Sequence, residues 1–160
     1  MAYIPLYKLL PEVAMKETCT ITVAQQNHFR LPEGEYGMVE MFCNDEDCDC
    51  RRVIIMVMYS QAFKPVAYIS FGWESQDYYA SWYSSGKVTK YSDMDTDDQL
   101  RIEDMRIAHL NTMSPQSEIA TTVFKMVDAL VLQDRAYVDR LKHHYMQFRA
   151  KVDGQHRRID

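Results

Sequence analysis

Val53-Ile54-Ile55-Met56-Val57-Met58-Tyr59 is a run of seven apolar residues, preceded by two arginines and followed by the loop Ser60 to Pro65. A continuous apolar run of this length, rich in β-branched side chains, reads as a central strand buried on both faces. Outward from it, Val66-Ala67-Tyr68-Ile69-Ser70-Phe71 reads as the strand that returns after the loop. Upstream, Tyr36 to Phe42 follows the turn signal Pro32-Glu33-Gly34-Glu35, and Thr18-Cys19-Thr20-Ile21-Thr22-Val23 alternates with a period of two. Short connections between such runs predict an antiparallel sheet over residues 17–72. Lys87 to Tyr91 offers a fifth, edge strand, which would carry the sheet region to residue 91.

Helical signals surround this sheet. Tyr78, Tyr79, Trp82 and Tyr83 gather on one side of a short helix over Glu74 to Tyr83, and Leu100 to Leu110 suggests another. Ser114 suits an N-cap and Pro115 the first helical position, where a missing N–H costs nothing. From there Ile119, Val123, Met126, Leu130, Tyr137, Leu141, His144 and Phe148 keep a three-four spacing, so one long amphipathic helix is expected over 114–152. About 35 residues at roughly 1.5 Å rise would reach about 50 Å, longer than a compact domain of this size needs. Either the helix breaks near Asp134, or its free end packs against a second copy or another protein. The fold class expected is α+β: one domain over residues 1–160, with a four- or five-stranded antiparallel sheet, short helices and one long C-terminal helix.

A chain of 160 residues with 47% hydrophobic and 26% charged residues is long enough for one real core. Its net charge of -5 argues against broad binding to nucleic acid or to an anionic membrane, both of which need a concentrated positive field. The charge is uneven, -9 over residues 1–134 and +4 over 135–160, which reads first as a cationic helix end and second as a contact for an acidic partner. No stretch approaches the eighteen or so apolar residues that span a bilayer, and the start lacks the pattern of a secretory signal. A cytoplasmic setting is therefore expected, where thiols stay reduced and clustered cysteines hold metal or do redox work.

That inference matters because Cys43, Cys48 and Cys50 lie within eight residues, in the loop between the second and third predicted strands. Cys48 and Cys50, two apart on an extended segment, point to the same side, and a turn over Asn44 to Asp47 can bring Cys43 round. Tetrahedral zinc asks for sulfurs about 3.7 Å apart. A closed structural Zn2+ site needs a fourth ligand. His144 falls on the apolar face of the long helix, whereas His143 is rotated about 100° away. The expected ligands are thus Cys43, Cys48, Cys50 and His144, with His143, His109, His28 and Cys19 as competitors for the fourth place. A bond from His144 would staple the helix to the loop.

The string Phe42-Cys43-Asn44-Asp45-Glu46-Asp47-Cys48-Asp49-Cys50-Arg51-Arg52-Val53, with Tyr36 and Glu40 ahead of it and Arg140-Leu141-Lys142-His143-His144-Tyr145 near the end, resembles a group of uncharacterised bacterial proteins with a C-D-C-R-R segment. Some of these carry an additional SEC-C-type zinc motif, whose terminal cysteine cluster this chain lacks. The resemblance covers about a dozen residues closely; it implies metal binding at Cys43, Cys48 and Cys50 and no activity.

Other constellations read more plainly. Asp93-Met94-Asp95-Thr96-Asp97-Asp98 has the carboxylates of a calcium loop, but Asp98 replaces the glycine that allows the sharp turn. Trp73 to Tyr83 is an aromatic-acidic stretch that suits the inner face of a helix better than a pocket. A phosphate-binding glycine loop, G-x-S-x-G and H-E-x-x-H are all missing from the sequence. The function expected is a structural-zinc domain acting as an interaction module. The alternative is a metal-dependent hydrolase or nuclease using Glu40, Asp45, Asp47 and Asp49.

Overall fold

The computed structural model describes residues 2–156, with side chains as far as residue 154. Arg157, Arg158 and Asp160 of the basic tail lie outside the described residues. The architecture is α+β. Six strands, β1 (Tyr3–Pro5), β2 (Cys19–Val23), β3 (Gly34–Cys43), β4 (Arg52–Tyr59), β5 (Ala67–Gly72) and β6 (His109–Leu110), form one antiparallel sheet ordered β1-β3-β4-β5-β6. β2 shares the outer edge of β3 with β1: Cys19 to Val23 pair with Met38 to Gly34, while Tyr3 to Pro5 pair with Cys43 to Met41. Among the described residues there are also five α-helices: α1 (Pro11–Glu17), α2 (Gln76–Tyr83), α3 (Thr96–Arg106), α4 (Ala120–Val127) and α5 (Arg135–His156).

Strand β4 is central as its composition predicts, but it alternates. Val53, Ile55 and Val57 are fully buried, whereas Ile54, Met56 and Met58 are half-buried on the other face. The buried face continues on β3 through Tyr36, Met38, Glu40 and Phe42 and on β5 through Ala67 and Ile69, with α4 and α5 packed over it. Tyr137, Leu141, His144, Tyr145, Phe148 and Val152 form the buried stripe of α5. Phe42 meets both Tyr145 and Phe148, at ring centroid distances of 5.7 and 5.4 Å.

Helix α2 packs against α3 in a smaller cluster built on Tyr79, Ala80, Met94 and Ile102. Gly72, at the end of β5, lets this layer approach. A Cβ built there would stand 2.5 Å from both the Met105 carbonyl oxygen and the Tyr79 hydroxyl.

Two further sequence expectations change. The expected edge strand over Lys87 to Tyr91 does not form; the strand beside β5 is His109–Leu110, and Tyr91–Asp93 make a 3-10 turn. The long helix does not start at Ser114. Gln116 instead accepts from Tyr68 N–H and donates to the Tyr68 carbonyl, and Ser117 donates to the Val66 carbonyl, so this stretch bonds to the sheet and α4 begins at Ala120. Of the two outcomes weighed for the rod, the break is the one observed. One π-helical turn, Asp128–Leu132, ends the first segment, and the Asp134 carboxylate accepts from Ala136 N–H to open the 22-residue α5.

Candidate metal centre

The hairpin between β3 and β4 carries the three cysteines at its tip. The Sγ atoms of Cys43, Cys48 and Cys50 all lie within 4.8 Å of one another, so the three together could hold a metal ion. They form the one group of three or more Cys, His, Asp or Glu ligand atoms gathered in this way among the described residues. Cys43 and Cys50 are fully buried, and Cys48 is partly exposed.

Backbone geometry brings them together. Asp47 and Arg51 adopt left-handed conformations, with φ of 55° and 47°, which reverse the chain on either side of Cys48 to Cys50. Non-glycine residues hold such angles at a cost of about 1 kcal/mol each unless their surroundings fix them. Here they are fixed. Cys48 N–H donates to the Asp45 carbonyl at 3.3 Å, and Asp45 N–H donates to Cys43 Sγ at 3.4 Å.

Two helices grip the loop from outside. From α2, Tyr78 donates to the Asp49 carbonyl and Tyr79 to that of Arg51, the latter at 2.7 Å. Within the aromatic stretch, Tyr79 lies on the inner face of α2 with Tyr78 and Tyr83 packed beside it, and the Tyr78 and Tyr79 hydroxyls anchor the cysteine loop, whereas Trp73 precedes the helix and lines a neighbouring cleft. From α5, Arg51 N–H donates to the Tyr145 hydroxyl at 3.2 Å. Arg149, nearly buried, donates to the carbonyls of Cys43 and Asp45 at 2.8 Å each. Arg51 spans Asp49 and Glu74 at 2.9 and 3.1 Å and lies over the Tyr78 ring.

The three thiols are not equally acidic. A hydrogen bond to Cys50 raises the Cys43 thiol well above its usual range, with burial adding to the effect. The same bond lowers Cys50, and burial raises Cys48. The Tyr3 hydroxyl lies 3.9 Å from the Cys50 sulfur. A metal ion that binds thiolates displaces these protons.

His144 is not with the cysteines. Its Nδ1 faces Glu40 at 2.7 Å, and its Nε2 faces the Glu17 carboxylate. The expected staple therefore exists in another form: His144 ties α5 to β3 and α1, while Tyr145 and Arg149 tie it to the loop. Glu40 decides this. It projects from the core face of β3 in one row with Ile55 and Ile69, and a buried carboxylate needs a strong donor. Burial alone would lower the His144 imidazolium, but the bonds to Glu40 and Glu17 outweigh it and the net shift is upward; the bond to His144 in turn lowers Glu17.

The competitors for the fourth place are also elsewhere. Cys19 sits on β2, His109 Nδ1 meets the Ile107 carbonyl at 2.8 Å, His28 stands edge-on to Phe29, and His143 is exposed. The carboxylates named for a hydrolytic centre do not converge: Glu40 is in the core and Asp49 holds Arg51. Asp95 of the supposed calcium loop accepts from Asp98 N–H and caps α3. No described helix is long and apolar enough to cross a membrane.

Comparison with known proteins adds no relative: no family model, curated protein or solved structure matches this chain.

Proposed function

We propose that the chain is a structural-zinc domain in which Cys43, Cys48 and Cys50 supply three thiolates, and that the rigid surface so formed serves as an interaction module. The observation that carries this reading is the convergence of the three sulfurs within 4.8 Å at one hairpin tip. Ligation by three thiolates favours zinc over the oxygen-seeking ions. A structural role fits the burial. Cys43 and Cys50 are sealed, and the neighbouring cleft is walled by Asp49, Arg51, Trp73 and Tyr145 rather than by the cysteines. Cys48 is the one partly exposed cysteine of the three.

X-ray absorption at the zinc edge tests the ligand set. Three sulfurs at about 2.3 Å with one oxygen or nitrogen scatterer are expected. A shell made of oxygen and nitrogen alone would overturn the assignment.

A further inference from the structure

The notable side chains around the loop are not on it. Arg149 is an almost buried cation, 8% exposed, whose two terminal nitrogens reach the Cys43 carbonyl, the Asp45 carbonyl and the Asp153 carboxylate. Asp153, one turn further along α5, accepts in its turn from Asp47 N–H at 3.1 Å. The pair thus takes two carbonyls and one N–H of the segment 43–47, both polarities of the backbone that carries Cys43 towards Cys48 and Cys50. The planar fork of a guanidinium can hold two such acceptors at fixed angles, which a lysine ammonium cannot do.

The geometry points to Arg149 and Asp153 as positioning residues of the metal loop, which makes metal occupancy and docking of the last turns of α5 two sides of one equilibrium. The inference rests on the metal reading and adds the residues that act through the ligands. Held by Arg149, the Cys43 carbonyl keeps its residue at the end of β3 while Asp47 adopts φ of 55°. Without that hold the 43–47 segment is free to relax, and a metal must reorder it on binding, with a loss of affinity. Linkage makes the effect reciprocal: whatever helix docking gives to metal affinity, metal gives to helix docking. Phe148 and Val152, buried on the same turns of α5, would be uncovered as that end loosens.

Cobalt(II) is the probe, because thiolate-to-cobalt charge-transfer bands report the sites directly and zinc competition gives the affinity. Wild type, Arg149→Met, Arg149→Lys and Asp153→Ala are compared, with hydrogen exchange measured with zinc and with chelator. The expected result is zinc affinity weakened about 10- to 100-fold in Arg149→Met, a typical outer-shell effect. Arg149→Lys should recover only part of it, and Asp153→Ala should show faster exchange at Asp47. In wild type, chelation should speed exchange over residues 148–154.

Absence of charge-transfer bands in wild type would remove the metal reading itself. Normal bands with unchanged affinity in both Arg149→Met and Asp153→Ala, or helix exchange indifferent to zinc, would leave that reading in place and overturn this one. Asp153 is partly exposed, so its variant serves if Arg149→Met does not fold.

Discussion

Replacing His144 by leucine leaves the Glu40 carboxylate in an apolar row with Ile55 and Ile69, without the donor that now meets it at 2.7 Å. Glu40 is 5% exposed and His144 1%, so the pair is largely withdrawn from bulk water. Breaking a buried pair by removing one partner costs roughly 3–5 kcal/mol.

The expected loss for His144→Leu is therefore about 3–5 kcal/mol at pH 7, a fall in Tm of roughly 10 °C or more for a chain of this size. Removing both partners as Glu40→Leu with His144→Leu should return stability to within about 1 kcal/mol of wild type. Urea unfolding with zinc held in excess measures all three proteins. A single variant that loses under 1 kcal/mol, or a double variant no better than the single, would refute the reasoning. So would loss of zinc from His144→Leu, since the structure gives both ring nitrogens to carboxylates.

The His144–Glu17 contact predicts a pH window. The upward shift of His144 contributes stability in full below its ordinary 6.5 and loses it as pH rises through the higher folded value. The downward shift of Glu17 contributes above its ordinary 4.5 and loses it as pH falls through the lower folded value. Glu17→Gln should thus cost most between about pH 4.5 and 6.5, with Arg140, His143 and Glu40 as the other charges facing the pair. A cost that grows steadily from pH 6 to 9 in denaturant titrations would contradict this. Tyr79→Phe removes the donor to the Arg51 carbonyl and should cost about 1–2 kcal/mol, with faster hydrogen exchange across residues 48–52. Unchanged exchange there would show that α2 does not hold the loop. Gly72→Ala sets a methyl 2.5 Å from the Met105 carbonyl and should destabilise by about 1–3 kcal/mol in thermal unfolding; a neutral result would mean that the α2–α3 layer yields easily.

The four long strands were legible because each carries an unbroken apolar or alternating signal: Cys19–Val23, Gly34–Cys43, Arg52–Tyr59 and Ala67–Gly72 all fall within two residues of their expected bounds. β1 and β6 were not, since three and two residues carry no period and form through pairing with β3 and β5. The start of α4 was misread because Gln116 and Ser117 spend their hydrogen bonds on the sheet, a tertiary contact that cap patterns do not contain. The cysteine triplet was visible from spacing alone. The fourth ligand was not: His144 does lie on the buried stripe of α5, as its three-four spacing implies, yet burial says nothing about which strand residue faces it. Glu40 held the missing signal, as an acid at the inward position of an alternating strand, between Met38 and Phe42. The anchoring roles of Arg149, Tyr78 and Tyr79 have no sequence signature, because each binds backbone atoms.

The zinc content of protein purified without added metal, compared between wild type and Cys48→Ser, tests the central claim most directly. About one zinc per chain in wild type and a large loss in the variant is the predicted result, since removing one of three thiolates takes away a dominant share of the affinity. Equal zinc in the two proteins, or none in either, would contradict it.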